Sequence, residues 1–242
     1  MFSIFKKRNS VRNIEWLSVD IHSHVLPGLD DGSPDLEESI KLIKGLYELG
    51  YAKIYATPHI FTELYPNNPD TILPALTETQ SAIKSANIPV ELGAAAEYML
   101  DDTFLITEHL LTLPGKYVLI EMSYLTESPN MEQVTEDLMA QGYKVILAHP
   151  ERYLYYHSNK SRLLRFKEMG VFFQLNLLAV TGNYGKSVKS SADYLLDKKL
   201  YDFASSDLHH DKHLAALTEV VLDGSLYTKL GGYPFLNKEC FL

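Results

Sequence analysis

The chain has 242 residues, of which 46% are hydrophobic and 22% charged, as expected of one soluble globular domain with a substantial core. Its net charge of -9 disfavours a nucleic-acid partner, because that kind of binding depends on neutralising phosphates with Lys and Arg. The single cysteine, Cys240, excludes an intramolecular disulfide framework and a cysteine-based zinc cluster, so a metal site here must use imidazole and carboxylate groups.

The N-terminal residues carry no recognisable targeting signal. Residues 1–8 lack the long apolar core of a signal peptide, and no segment elsewhere reaches the roughly 18 apolar residues of a membrane span. We therefore expect a cytoplasmic protein with no integral membrane segment. We assign residues 1–16 to an N-terminal tail and residues 17–242 to a single domain.

Short β-rich segments alternate with longer amphipathic stretches along the chain, which indicates repeated βα units around parallel strands. The predicted strands are residues 17–24, 53–59, 90–97, 117–123, 144–149, 171–176 and 201–207. Seven strands, where the common β/α barrel has eight, predict a distorted or incomplete barrel.

The first helix has the clearest boundaries. Ser33 can cap it, Pro34 suits its first turn, and Gly50 ends it. The helical period then predicts one apolar face, formed by Leu36, Ile40, Ile43 and Tyr47.

Each predicted strand finishes with a polar side chain, and most of these side chains can bind a metal. In chain order they are His22 and His24, His59, Glu97, Glu121, His149, Asn176, and Asp207 with His209. The C-terminal ends of the strands in a β/α barrel meet on one face. Residues far apart in the sequence are therefore expected to form one site.

Two of these motifs place a pair of ligand-capable residues two positions apart, which puts both side chains on one side of an extended backbone. Alone, His22 and His24 are better explained by a half-buried alternating strand than by a metal site, and a lone Glu97 or Glu121 is equally well explained by a surface carboxylate. The recurrence of the spacing at Asp207 and His209 favours a metal site.

Two further histidines and the cysteine need no catalytic explanation. His210 and His213 are interpreted as solvated residues at the start of a helix. Cys240 stands two residues from the C-terminus, which leaves no room for the arginine-bearing loop of a cysteine phosphatase.

Taken in order, the motifs resemble the polymerase-and-histidinol-phosphatase (PHP) superfamily. Within it they are most similar to the bacterial tyrosine-protein phosphatases of capsular and exopolysaccharide operons, the CpsB/YwqE type. The likeness runs from about residue 19 to residue 234. The motifs are residues 20–24, the turn 30–32, residues 57–59, Glu97, Glu121, residues 149–153 and residues 206–209.

The resemblance implies an α/β fold, a distorted (β/α)7 TIM-like barrel that carries three divalent metal ions, with manganese as first candidate and iron or zinc as alternatives. Its metal ligands would be His22, His24, Asp31, His59, Glu97, Glu121, His149, Asp207 and His209. Arg152 would bind the phosphoryl oxygens. Lys212 would bind phosphate in place of a second arginine that related proteins carry.

This ligand set leads to the hypothesis of a metal-dependent phosphatase, in which a metal-activated hydroxide attacks phosphorus and Asp207 or His209 assists the leaving group. The resemblance implies a phosphotyrosine protein as substrate, with a bacterial tyrosine autokinase that controls polysaccharide synthesis as partner. Two alternatives stay open: a small-molecule phosphatase of the histidinol-phosphate type, and a metal-binding regulator or scaffold without turnover. The net negative charge of the chain disfavours a nuclease-like phosphodiesterase.

Overall fold

Parallel β-strands and α-helices alternate along the chain in the computed structural model, which describes residues 11–107 and 109–242. Within these residues the strands are β1 (Val19–Asp20), β2 (Lys53–Ala56), β3 (His59–Ile60), β4 (Glu91–Ala94), β5 (Glu97–Met99), β6 (Tyr117–Glu121), β7 (Lys144–Ala148), β8 (Phe172–Asn176) and β9 (Phe203–Ser205). The helices are α1 (Leu36–Leu49), α2 (Pro69–Ser85), α3 (Met131–Ala140), α4 (Lys160–Met169), α5 (Lys186–Asp197), α6 (Asp211–Leu222), α7 (Ser225–Leu230) and α8 (Asn237–Phe241). Short 3-10 segments follow β7 and β8, at Pro150–Arg152, Leu154–Tyr156 and Leu177–Thr181.

The strands form the predicted distorted barrel of seven strand positions. One parallel sheet has the order β1-β2-β4, and a second has the order β3-β5-β6-β7-β8-β9. The second and third predicted strands are each broken in two, at Thr57 and Pro58 and at Ala95 and Ala96, so each contributes to both sheets. Pro58 has no amide hydrogen to donate to a neighbouring strand, which explains why the ladder stops there.

Alternate side chains of each strand point into the barrel or outward against the helices. In β6, Tyr117 and Leu119 belong to a small apolar cluster inside the barrel, whereas Val118 and Ile120 belong to the larger core that includes the helices. Because the period of a strand is two, the inward row of β6 ends at Glu121. The strand therefore delivers this carboxylate to the C-terminal rim of the barrel.

The first helix differs from the prediction at its start. Asp35, not Ser33, is the N-cap, and its side chain accepts a hydrogen bond from the amide of Glu38 at 2.9 Å. Ser33 is buried and instead accepts a hydrogen bond from the Ser39 hydroxyl. The end of the helix is as predicted, since Gly50 takes the left-handed conformation with φ 109°.

The apolar face of α1 is rotated by about one residue from the predicted face. Of the four residues expected there, only Ile43 is fully buried, and Tyr47 is exposed. The row in contact with the barrel contains Ser39, Leu42, Leu46 and Leu49 in addition to Ile43. Local periodicity identified the helix, but the direction in which it packs is set by the barrel.

We propose that the packed domain begins by Ile14 rather than at residue 17. Ile14 is fully buried, and its amide donates to the carbonyl of Leu49 at 2.8 Å. The earlier part of the predicted tail, residues 1–10, lies outside the described residues. No helix of the described residues is both long and apolar enough to cross a membrane.

The barrel closes between its first and last strands mainly through side chains, because β1 is only two residues long. The carboxylate of Asp20 accepts hydrogen bonds from the backbone amide and the hydroxyl of Ser206. The hydroxyl of Ser205 accepts from the amide of Ile21 at 3.2 Å. Asp20, which belongs to the same motif as His22, therefore holds the first strand to the last. This role could not be assigned from the sequence.

Asn237, in the C-terminal helix α8, completes the closure. Its amide nitrogen donates to the carbonyls of Val19 at 2.9 Å and Ala204 at 2.7 Å, and its oxygen accepts from the amide of Ala204 at 3.1 Å. The side chain is fully buried, so these backbone groups have no access to water as a substitute.

Asn237→Ala should lower the free energy of unfolding by roughly 2–4 kcal/mol, because it leaves several buried backbone groups of β1 and β9 unpaired. Urea unfolding followed by circular dichroism measures this. The control is Asn183→Ala, since Asn183 is exposed. Equal midpoints for both variants would show that the closure does not depend on this amide.

Gly32 lies where the chain turns back against His24. A Cβ atom at this position would be 2.1 Å from the carbonyl oxygen of His24, a distance that no relaxation of a flexible side chain can relieve. The glycine of the predicted turn is therefore required by close backbone approach.

Gly32→Ala should displace the backbone of His24 and reduce stability by about 2 kcal/mol or more. The matched control is Gly232→Ala, because a Cβ there meets nothing within 4 Å. Thermal unfolding of both variants tests the expectation, and a Gly32→Ala protein that melts like the control would contradict it.

Candidate metal centre

Histidine and carboxylate side chains from both ends of the sequence converge at the C-terminal rim of the barrel. The Nε2 atoms of His22 and His24 lie 3.2 Å apart. Oε2 of Glu97 lies 3.1 Å from the first of these nitrogens and 3.4 Å from the second. Oδ1 of Asp207 lies 3.3 Å and 3.5 Å from the same two atoms, and all four side chains are buried.

His59 connects this group to the solvent side of the site. Its Nδ1 lies 2.9 Å from Oε1 of Glu121 and 3.2 Å from Oε2 of Glu97. Its Nε2 lies 3.5 Å from Oδ1 of Asp31, which is in turn 3.6 Å from Nε2 of His209. On the other side, Nε2 of His149 lies 3.2 Å from Oε1 of Glu97.

All nine side chains predicted as ligands are thus brought together. They fall into four overlapping groups whose potential ligand atoms lie within 4.8 Å of one another: His24, Asp31, His59 and His209; His22, His24 and Asp207; His22, Glu97 and His149; and His59, Glu97 and Glu121. The groups share members, and His59 belongs to two of them because its two nitrogens face different carboxylates.

Hydrogen bonds outside the cluster orient three of the imidazoles. Nδ1 of His22 lies 3.0 Å from Oε1 of Gln174, Nδ1 of His24 lies 2.7 Å from Oδ2 of Asp30, and Nδ1 of His209 lies 3.0 Å from the carbonyl of Asp207. Because each acceptor fixes a proton on Nδ1, the Nε2 atoms are left to face the cluster. Gln174 and Asp30 had no role assigned from the sequence.

The electrostatics of the cluster keep its central carboxylates ionised. Burial raises the pKa of Glu97, but the contacts with His22 and His59 outweigh burial and hold that pKa well below its usual range. Burial also raises the pKa of Asp207, but the contacts with His22 and His24 outweigh burial. The pKa of Asp207 therefore also lies well below its usual range. An ionised Asp207 is a good ligand but a poor proton donor, so the expected acid role does not suit it.

The pKa values of His209 and His59 are shifted in opposite directions. Burial and the neighbouring His24 lower the pKa of His209 to about 4. The pKa of His59 is raised to about 10, because Glu97, Asp31 and Glu121 overcome burial and the repulsion of His24. The carboxylates thus concentrate positive charge in the cluster, whether as protons or as a metal ion that displaces them.

The donor set fits divalent metal ions. Ligand atoms bound to one such ion are about 3.0–3.5 Å apart, which follows from bond lengths of roughly 2.1 Å. The contacts among His22, His24, Glu97 and Asp207 fall in or close to that range. Oε2 of Glu97 is also buried and makes no hydrogen bond, although imidazole nitrogens lie 3.1–3.4 Å away, as expected of an oxygen that binds a cation together with those nitrogens.

A cavity of about 360 Å³ opens above the cluster. Arg152 is the only Lys or Arg side chain that lines it within the described residues, and its Nη1 donates to Oδ2 of Asp207 at 2.7 Å. Aromatic side chains form much of the remaining wall, namely Phe61, Tyr65, Tyr124 and Tyr184.

Lys212 does not lie where a second phosphate-binding group was expected. It is exposed on the first turn of α6 and borders a separate depression with Pro34 and Glu38. His210 is exposed and caps the start of α6, as interpreted, and it also lines the cavity. His213 lines the cavity as well. The ring of His213 is partly buried, and its Nδ1 has no hydrogen-bond partner. Lys212 is one residue before the cavity-lining His213, about 100° away around the helix, and periodicity could not specify which of the two directions faces the cavity without the position of the barrel.

The fold and the site define a β/α-barrel protein with a candidate multi-metal centre at the C-terminal rim of its strands. The family model for capsular polysaccharide synthesis, CpsB/CapC, matches residues 18–220. The chain therefore belongs to the CpsB/CapC family.

Individual relatives agree with this assignment. The tyrosine-protein phosphatase YwqE of Bacillus subtilis is 32% identical over 198 residues, covering 80% of this chain and 78% of the relative. The tyrosine-protein phosphatase CpsB of Streptococcus pneumoniae is 28% identical over 201 residues, covering 79% and 83%. A crystal structure from a study of YwqE and CpsB, described there as metal-dependent tyrosine phosphatases, superimposes with a TM-score of 0.80 at 29% identity and covers 91% of each chain.

Asp30→Asn should weaken metal binding by about 10- to 100-fold, because the neutral amide holds the ring of His24 less firmly than the carboxylate. Asp30 also accepts the amide of His59 at 2.9 Å, so two ligands depend on it. Titration of the metal-free protein with Mn²⁺ in a calorimeter measures the change. Asp197→Asn, at the exposed end of α5, is the control. Unchanged affinity in Asp30→Asn would refute the orienting role.

Proposed function

We propose that this protein is a metal-dependent protein-tyrosine phosphatase, which hydrolyses phosphotyrosine in a protein substrate. The observation that carries the proposal is the convergence of nine imidazole and carboxylate side chains beneath a cavity that has one arginine at its edge. A purely structural metal site needs about four ligands and is closed. An open, aromatic-walled cavity above a larger ligand set supports catalysis.

We propose three divalent ions in this centre, with manganese as first candidate, since imidazole and carboxylate donors also suit iron and zinc. His22, His24, Glu97 and Asp207 would hold the first ion, and Glu97 would bridge it to a second. Glu121 and His149 would complete that second site, and Asp31, His59 and His209 would hold the third. Because His59 faces Glu121 as well as Asp31, it is suited to join the second and third sites.

Bound metal ions would supply a reactive hydroxide from water near neutral pH and offset charge on the phosphoryl group. Arg152 would donate to the phosphoryl oxygens from the edge of the cavity, where its charge stabilises the transition state. The phenolate of phosphotyrosine leaves readily and requires little protonation. The pKa of His209 is lowered to about 4, so near pH 7 this imidazole, like the ionised Asp207, would have no acidic proton to give, and departure would depend on the stability of the phenolate itself.

The wall of the cavity favours an aryl phosphate. Tyr65 stacks on His59 with ring centroids 5.5 Å apart, and Phe61, Tyr124 and Tyr184 present further apolar surface beside the cluster. An aromatic leaving group would pack against these rings, whereas a small polar ester would leave them exposed to water. The names of the relatives as tyrosine-protein phosphatases support the same substrate class.

The physiological substrate in this proposal is a bacterial tyrosine autokinase that regulates capsule or exopolysaccharide synthesis, which would give the protein a cytoplasmic location. The family's association with capsular polysaccharide synthesis supports this role. Exposed apolar residues near the site, such as Leu64 and Leu125, suit a protein surface as partner.

The decisive experiment compares substrates and metal states. Protein loaded with Mn²⁺ should hydrolyse a phosphotyrosine peptide and an aryl phosphate, lose that activity in EDTA, and recover it when metal returns. Histidinol phosphate and a phosphodiester serve as competing substrates. Preference for histidinol phosphate would redirect the assignment to a small-molecule phosphatase, and no turnover of any ester by the metal-loaded protein would support a binding role. Full activity after exhaustive metal removal would exclude the mechanism.

Arg152→Lys should lower kcat/KM for an aryl phosphate by roughly 100-fold, because a lysine offers one point charge in place of a planar, two-pronged donor. Arg165→Lys is a matched control, since Arg165 lies half-exposed on α4 beside Glu132. Initial rates across substrate concentrations separate kcat from KM. Equal kcat/KM in the two variants would remove Arg152 from the phosphate-binding role.

A further inference from the structure

Two tyrosine rings flank the guanidinium of Arg152. Its central carbon lies 4.8 Å from the ring centroid of Tyr124 and 4.6 Å from that of Tyr184. Both distances are within the range of cation–π attraction, which strengthens when the cation is partly removed from water. The Arg152 side chain is only 22% exposed, so this condition is met.

Each ring is itself fixed by neighbours. Tyr124 stacks near His149, with centroids 6.0 Å apart, and contacts Tyr153 at 5.7 Å. The hydroxyl of Tyr184 accepts a hydrogen bond from the side-chain nitrogen of Asn176 at 3.1 Å. The rings are therefore a firm support for a long, flexible side chain.

Asn176 connects this support to the metal centre. The same nitrogen that donates to Tyr184 also donates to Oδ2 of Asp207 at 2.9 Å. Oδ2 is the atom that accepts from Arg152, whereas Oδ1 of Asp207 faces His22 and His24. One carboxylate thus sets the position of the arginine relative to the metal cluster.

We propose that Tyr124 and Tyr184 are positioning residues that hold Arg152 flat between the metal cluster and the cavity, so that its remaining N–H groups form a preoriented site for a phosphoryl group. This inference rests on the proposed phosphatase function and assigns the geometry of phosphate binding within it. Preorientation matters here because Lys212 lies outside the cavity, and among residues 11–107 and 109–242 Arg152 alone lines it with a cationic side chain that can supply directional contacts. The phenolic ring of Tyr184 acts through its face, and its hydroxyl acts only through Asn176.

The test measures inorganic phosphate binding to the Mn²⁺-loaded protein by calorimetry, and phosphate as a competitive inhibitor of aryl phosphate hydrolysis. Tyr184→Leu and Tyr124→Leu should each weaken phosphate binding about 5- to 30-fold, the range that corresponds to the loss of one cation–π contact. Tyr184→Phe, which keeps the ring, should retain most of the parent protein's affinity for phosphate. Tyr47→Leu makes the same change on the exposed side of α1 and is the control.

A double-mutant comparison separates positioning from general damage to the fold. In an Arg152→Met background, Tyr184→Leu should have less than one third of its effect on phosphate affinity in the parent protein, because the cation that it positions is gone. An equal effect in both backgrounds would overturn the proposal, as would phosphate affinities of Tyr184→Leu and Tyr124→Leu that match the control. Absence of turnover by the parent protein with phosphate binding intact would count against the phosphatase function alone.

Discussion

The closure of the barrel between β1 and β9 is the constraint on which the site depends. His22 and His24 follow the first strand, and Asp207 and His209 follow the last, so these four side chains meet only if the two strands are held together. A two-residue strand offers few ladder hydrogen bonds, and side chains of Asp20, Ser205 and Asn237 supply the rest. The backbone continues the junction, since the amide of Asp207 donates to the carbonyl of His22 at 2.9 Å. The contacts that stabilise the closure therefore also determine the geometry of the candidate metal centre.

The concentration of charge at the rim is costly without compensation, because buried carboxylates and imidazoles lose their hydration. The structure offsets this by alternating the two kinds of group, so that each carboxylate oxygen of Glu97 faces a histidine nitrogen. Backbone strain accompanies the arrangement. His149 and Asp207 have φ values of 35° and 51°, in the left-handed region that non-glycine residues rarely adopt. Such conformations persist where surrounding contacts over-determine them, which is common at functional sites.

The sequence predicted the seven strand positions, the barrel class and the convergence of eight ligand-capable residues at strand ends, because these depend on period-two patterns and on the rule that strand ends share one rim. Asp31 was expected as a ligand only from the family resemblance. The sequence could not predict features that depend on three-dimensional placement. The break at Pro58, the cap at Asp35 and the orientation of Lys212 each follow from how a segment packs against the barrel. Asn176 was placed at the rim from the sequence, but its contacts were not predicted, and Gln174 was not identified at all. A buried amide that orients an imidazole or a tyrosine looks in the sequence like any other polar residue at the end of a strand.

The position of the single thiol has a consequence for the environments in which the protein can work. Cys240 lies in α8 beneath the barrel, where its Sγ is 3.6 Å from the hydroxyl of Tyr117 at the start of β6. Glu121, a candidate metal ligand, lies at the other end of the same strand, roughly 13 Å away at 3.3 Å per residue. Peroxide or alkylating agents that reach the sulfur thus modify the N-terminal end of the barrel strands and not the C-terminal rim that carries the candidate site. Oxidation of this thiol would therefore remove none of the candidate imidazole and carboxylate ligands, whereas oxidation inactivates an enzyme that depends on a nucleophilic thiolate.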